Sequence, residues 1–287
     1  MARALEALMA VRTTPCALWR TVPHDALRQA RQALDRGLDR LDAPACPVFF
    51  RADDCGVPGN VWQEFVHLFL LRRLPLAPSL VPAWLTAARW KILAAQVAAA
   101  PTLFAWHQHG RQHVNHETAG KKMEFGPART REEKHLDLTA GRLRLETLLG
   151  PAFLPLFTPP WNRVDEDTLE LLAELGYAAI SRSRNARPPA LPSLPDVYIN
   201  VDLHTRKEPT PDAAWTGLLQ ELEDGAAAGR IGIMCHHQRM NRAALDWLAG
   251  FLSLLAGHQR LEPAAMIGRG HGAEGASPAH PTLVTIA

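Results

Sequence analysis

The sequence predicts an α/β fold, a closed or incomplete parallel β/α barrel. Three observations carry this. Short apolar runs of strand character alternate with helical patterns six or seven times, and parallel strands need such crossovers. The polar clusters at 53–54, 107–113, 158–163, 202–204 and 235–238 each sit directly after a strand-like run, as expected where chemistry collects at the carboxyl ends of barrel strands. No GxGxxG or GxxxxGK[ST] follows any such run, which argues against a doubly wound nucleotide-binding sheet.

The elements follow in order. Residues 23–41 repeat Leu and Ala at three- and four-residue steps, a helical period. Residues 48–50 are β-branched and aromatic and run into a turn at 56–58, so they read as a buried strand and its loop. A helix over 61–73, a strand over 75–82, a helix over 83–100 closed by Pro101 and a strand over 102–107 come next. The polar stretch 108–134 is too long for a simple connection, which marks it as functional. Then come a helix over 132–149, a strand over 154–158, and a helix over 165–176 with acids in its first turn and a glycine stop. Strands over 177–181 and 197–203, a helix over 211–229, a strand over 230–235 and a helix over 241–257 complete the pattern. From His258 the chain is rich in Gly, Pro and Ala and reads as irregular. The expected organisation is a helical extension over 1–45, a barrel over 46–257 and a tail over 258–287.

With 287 residues, 47% of them hydrophobic, the chain can fill the core of one large domain. Its 31 basic and 29 acidic residues give a net charge of +2, so there is no electrostatic case for nucleic acid or a membrane surface as partner. The four cysteines form neither a CxxC pair nor a disulfide framework, so free thiols are expected. Residues 1–20 lack the apolar run of an export signal, and no run reaches the ~18–20 apolar residues of a membrane span. A cytoplasmic protein without stable membrane insertion is the expectation.

Adjacent strand residues face opposite sides, so Asp53 and Asp54 can do different work, one on a metal and one on a proton. Capping a turn is their plainer use. His109 and His113, four apart, would share one face of a helical turn with Cβ atoms roughly 5–6 Å apart and reach one ion. His107 would share a strand face with His109. A carboxylate and two imidazoles form a normal ligand set for zinc or another divalent ion, leaving room for water and substrate. The two prolines before Trp161 stiffen a strand end and can hold an aromatic wall and a backbone N–H at a pocket. Asp202 and His204 alternate on one face. His236, after a buried strand, can serve as a general acid, or simply pack.

The order of these motifs, DD, HxxxH, a proline-rich strand end and a late strand-end His, resembles the polysaccharide deacetylase family (NodB homology, carbohydrate esterase family four) over residues 48–255. The resemblance implies a distorted, incomplete β/α barrel that removes acetyl groups from an N-acetylated sugar, glycan precursor or glycolipid. It implies Asp53 as catalytic base and Asp54, His109 and His113 as ligands of one divalent metal, zinc by default, with cobalt, nickel or manganese as alternatives. It makes His236 the general acid and places Trp161 where the family has a tyrosine whose backbone N–H binds the oxyanion. Two departures suggest a divergent branch. Thr158 stands where the family has an arginine that orients the base, with Arg51 and Arg163 as candidate substitutes. The tryptophan-containing fourth motif is not evident, leaving Asp202 as the candidate for tuning His236.

Lys121, Lys122 and Arg129 could meet a phosphate or carboxylate, or be solvated loop charge. Cys55 and Cys235 flank Asp54 and His236 and are expected to pack rather than ligate. Two other readings compete: an amidohydrolase-like metal hydrolase using the pair His107 and His109, and a non-catalytic glycan-binding homologue.

Overall fold

A computed structural model describes residues 14–267. Its strands are β1 (Cys46–Cys55), β2 (Ala77–Leu80), β3 (Trp106–His109), β4 (Phe153–Thr158), β5 (Ala179–Ile180), β6 (Val201–Asp202), β7 (Ile231–Cys235) and β8 (Leu261–Pro263). They pair in parallel in the order β5-β4-β3-β2-β1-β7-β6, with β8 beside the start of β1. The strand expected over 197–203 divides between two neighbours. Val197 N donates to Ile180 O and Ile199 N to Arg182 O, whereas Asn200 N donates to Gly232 O and Leu203 N to Met234 O. The ring is therefore joined by isolated hydrogen bonds, not a regular ladder. The preceding segment contains Pro188, Pro189, Pro192 and Pro195, which have no N–H to give a ladder. The result is a distorted, incomplete β/α barrel.

The helices α1 (Ala26–Leu38), α2 (Asn60–Arg72), α3 (Ala87–Gln96), α4 (Arg131–Leu149), α5 (Glu166–Glu174), α6 (Pro211–Ala227) and α7 (Arg242–Ala256) cover the outside. Several start on side-chain caps. Thr130 and Glu133 form a capping box, and Asp165, Thr210 and Asn241 each accept an amide three residues on. The segment before β1 shares the main core, because Ala30, Ala33, Leu34 and Leu38 are buried in it. Gly37 allows the close crossing of α1 and α6: a Cβ there would lie 2.3 Å from Glu223 O and 2.6 Å from the Ala226 Cβ.

Among the boundaries that differ from the sequence reading, two change the sheet. Pro101 opens a single 3₁₀ turn (Pro101–Leu103), which delays β3 to Trp106 and carries both His107 and His109 into the sheet. From residue 258, where an irregular tail is expected, Leu261–Pro263 instead pairs with Cys46–Val48; residues 268–287 lie outside the described part. Among the described residues no helix is long and apolar enough to cross a membrane.

Along β1 the side chains alternate. Phe50 packs on Phe69 of α2 with ring centroids 5.1 Å apart. Phe49 lies inside the ring with Ala77, Leu156, Ala179, Val197 and Met234. Arg51 and Asp53 continue that inner row, so the barrel interior changes from apolar to ionic on the way to the carboxyl rim.

Candidate active site

Strict alternation would send Asp54 outward. Instead β1 slips register between Ala52 and Cys55, and Asp54 adopts a left-handed φ of 60°. That irregularity turns both carboxylates to the same rim. His109 ends β3, and its Nδ1 lies 2.9 Å from the backbone oxygen of Thr158. A carbonyl can only accept, so Nδ1 carries a proton and Nε2 is the nitrogen turned toward the site. That nitrogen sits 3.1 Å from Asp54 Oδ1, and His113 Nε2 sits 3.1 Å from the same oxygen. The three ligand atoms lie within 4.8 Å of one another. One carboxylate oxygen and two imidazole nitrogens facing a common point can share either protons or a cation, and this donor set fits a divalent ion. Burial pushes the Asp54 carboxyl up, but its bonds to His109 and His113 hold it well below the usual carboxylate range. Burial lowers the His113 ring's pKa, and Asp54 raises it above normal.

The histidines do not meet on a helical turn as expected. Residues 110–113 form a bend wrapped around the carboxylate of Glu124. Its Oε2 accepts Arg111 N at 3.1 Å, and its Oε1 accepts Gln112 N at 2.6 Å and His113 N at 3.2 Å. Glu124 is fully buried. Gly110 has φ 57°, and a Cβ there would lie 2.0 Å from Glu124 Oε2, so the loop requires glycine. The sequence reading missed Glu124, since nothing local distinguishes one acid in a polar loop.

Asp53 has a different set of partners. Arg51 grips both its oxygens, Nε to Oδ1 and Nη2 to Oδ2, each at 2.8 Å. Ser79 Oγ donates to Oδ1 at 3.0 Å. Arg51 is in turn fixed by Ser181 and by Asn162 Oδ1. Burial raises the Asp53 carboxyl's pKa, and the charges of Arg51, His109 and His236 outweigh that and leave it below normal. Of the two candidate arginines, Arg51 therefore holds Asp53, while Arg163 donates to Lys122 O. Thr158 serves both imidazoles of β3, its backbone oxygen meeting His109 and its Oγ1 meeting His107 Nε2 at 2.9 Å. With its Nδ1 3.0 Å from Ala105 O, His107 has both nitrogens occupied. Burial pushes its pKa down to about 3. It is thus not available to share an ion with His109, which removes the basis for the amidohydrolase-like reading.

After Pro159 and Pro160 the chain reverses through two left-handed residues, Trp161 (φ 56°) and Asn162 (φ 59°). The reversal lays the Trp161 ring on His113, centroids 4.6 Å apart, while Trp84 flanks the same imidazole at 5.8 Å.

His236 follows β7, is buried, and has no hydrogen-bond partner at Nδ1 among the described residues. Its charged form helps depress both aspartates. Asp202 does not reach it, contrary to expectation. The Asp202 carboxylate accepts the amides of His204 and Thr205, both at 2.9 Å, and the Thr205 hydroxyl. A short side chain bonding its own following backbone makes a turn, not a relay. His204 instead positions the strand end, its Nδ1 accepting His236 N at 3.2 Å while its ring stacks on Trp19. His237 packs edge-on against Trp62, and burial pushes its pKa down to about 4. All four cysteines are free. Burial pushes the Cys55 and Cys235 thiols well up, and neither joins the ligand cluster.

The sequence matches no family model and no curated protein. Solved structures share the fold. A Mycobacterium smegmatis protein assigned as a polysaccharide deacetylase is 15% identical with TM-score 0.57, the match covering 78% of this chain and 88% of that one. A polysaccharide deacetylase of Bacillus cereus is 14% identical with TM-score 0.51, over 79% and 94% of the two chains. A mutant of a Bacillus anthracis pseudoenzyme of carbohydrate esterase family four is 12% identical with TM-score 0.50, over 76% and 65%.

Proposed function

We propose that this protein is a metal-dependent deacetylase that hydrolyses the N-acetyl group of an acetylated sugar, glycan precursor or glycolipid. One observation carries the reading. Asp54, His109 and His113 offer ligand atoms within 4.8 Å of one another, beside an Asp53 that Arg51 holds ionised at 2.8 Å. The polysaccharide deacetylases of the same fold suggest the substrate class.

Asp54, His109 and His113 would hold one divalent ion, zinc by default, which when bound polarises the amide carbonyl and makes a water more acidic. Asp53 accepts a proton from the water that adds to the carbonyl carbon. The Trp161 backbone N–H, carried on its left-handed turn, donates to the carbonyl oxygen as that atom gains charge. His236 gives a proton to the sugar nitrogen as the C–N bond breaks, releasing acetate and a free amine. Trp161 and Trp84 offer apolar faces to a sugar ring on either side of His113. Arg51, reaching across from β1, orients the base in place of an arginine at position 158.

The test is acetate release from N-acetylated sugars and sugar-lipids, with zinc, cobalt, nickel and manganese supplied in turn. Turnover that a chelator abolishes and added metal restores supports the reading. Glycan binding without acetate release under any metal would make the chain a pseudoenzyme instead.

A further inference from the structure

An open groove of about 560 Å³ begins at the Trp161 and Asn162 turn and runs between Met123, Val164 and Ala186. It is continuous with the site, because the Trp161 ring packs at a tilt against His113 and Asn162 binds Arg51. Three cations line it: Lys121, Arg163 and Arg187. Its single lining carboxylate, Asp165, is spent elsewhere. It accepts Lys134 Nζ at 2.6 Å and caps α5 through Thr168. Among the described residues Lys121 and Arg187 have no carboxylate partner, and Arg163 has only the Lys122 carbonyl. The other two loop cations are not part of the groove: Lys122 lies off its lining, and Arg129 is paired with Asp137 at 2.8 Å.

The chain is close to neutral overall, with a net charge of +2, so three cations facing one groove whose single carboxylate is engaged elsewhere make a local positive patch. Two guanidiniums suit the bidentate recognition of an oxyanion, and a lysine adds a point charge. Ser183 and Asn185 add neutral hydrogen-bonding groups to the same wall. We propose that the substrate is a phosphorylated N-acetyl sugar, its phosphate bound in this groove by Arg163, Arg187 and Lys121 while its acetamido group lies at Asp53 and His236. The placement of the acetamido group rests on the deacetylase reading, whereas phosphate binding in the groove does not depend on it. The shared chemistry is a sugar phosphoester, which nucleotide sugars and lipid-linked sugars both supply.

Binding, not turnover, is the direct test, so its outcome is separate from that of the catalytic reading. Calorimetric titration of the full chain would compare N-acetylglucosamine, its 1-phosphate, its uridine diphosphate ester, a short-chain prenyl diphosphate ester, and N-acetylmuramic acid as a carboxylate control. The phosphorylated sugars should bind about tenfold or more tightly than N-acetylglucosamine, given charge-assisted bonds. The advantage should shrink as salt rises. The better of the two esters identifies the source. R163Q with R187Q should erase the advantage and leave N-acetylglucosamine binding unchanged, with circular dichroism confirming the fold. K121Q, at an exposed position, should reduce the advantage in part. Equal binding of neutral and phosphorylated sugars by the unaltered protein, or an advantage that survives the double substitution, overturns the proposal. Preference for N-acetylmuramic acid over the phosphates overturns it in favour of a carboxylate.

Discussion

Replacing Arg51 with Gln tests whether the ion pair on the inner face of β1 is what keeps Asp53 charged. Arg51 is fully buried and Asp53 only 3% exposed, so solvent cannot take over when one partner is removed. Orphaning one member of such a pair costs about 3–5 kcal/mol, and R51Q and D53N should each lose stability on that scale at pH 7. In the double variant no charge is stranded, so its loss should fall short of the summed single losses by about 2–3 kcal/mol. Urea unfolding of the four proteins, metal-free and at one ionic strength, measures that coupling. The sign with pH is fixed. Asp53 has a folded-state pKa below its unfolded value. The pair's contribution is therefore complete above the unfolded value of about 3.9 and is lost as pH falls through the folded one. In R51Q the carboxyl loses its main counterweight to burial, so the acid limb of kcat/KM should move to higher pH. Losses that add within about 0.5 kcal/mol, or an unmoved acid limb in R51Q, would refute the assignment of Arg51 as the residue that holds the base.

Purified protein should carry close to one divalent ion, and H109A and H113A should each strip most of it, as read by elemental analysis. D54N should weaken metal binding, whereas D53N and H236A should keep the metal and lose turnover, about 10²–10⁴-fold for the base; metal content beside rate in one preparation series decides. E124Q should put a donor among the amides of residues 111–113, with metal affinity falling about 10–100-fold by chelator competition; unchanged affinity would leave the carboxylate a purely local prop. C55S and C235S should leave metal content intact, and an emptied site in either would mean a thiol belongs to the ligand set.

The alternation of strands and helices was legible because it is written in periodicity, and the rim position of each polar cluster followed from parallel strands. The closeness of Asp54, His109 and His113 was legible in the sequence, but the geometry that brings them together was not. A spacing of four suggests a helical turn for His109 and His113, and only the buried Glu124, eleven residues beyond His113, shows that the chain bends instead. The choice between Arg51 and Arg163 turned on which side chain reaches the barrel interior. The two-residue step from Arg51 to Asp53 on one strand contained that answer, because i and i+2 share a face. The misreading of Asp202 has the same kind of cause. Asp-Leu-His-Thr is a good turn-forming sequence, and local backbone amides claim a short carboxylate before a distant ring can. The register slip that brings Asp54 beside Asp53 has no sequence signature, since it depends on how β2 and β7 pair with β1.

The bend held by Glu124 also separates two inheritances. Between His113 and Glu124 the chain makes an excursion that returns to the point it left, with His116 N bonded to Met123 O and Asn115 bonded to the amides of Glu117 and Met123. Lys121 rides on that excursion, while His113 is fixed at its root. Insertions, deletions and substitutions in the excursion can reshape the groove wall without displacing an imidazole. Change in the groove wall and preservation of the Asp54, His109 and His113 cluster are thus decoupled, which makes residues 114–123 the natural segment to exchange in a library aimed at new specificities.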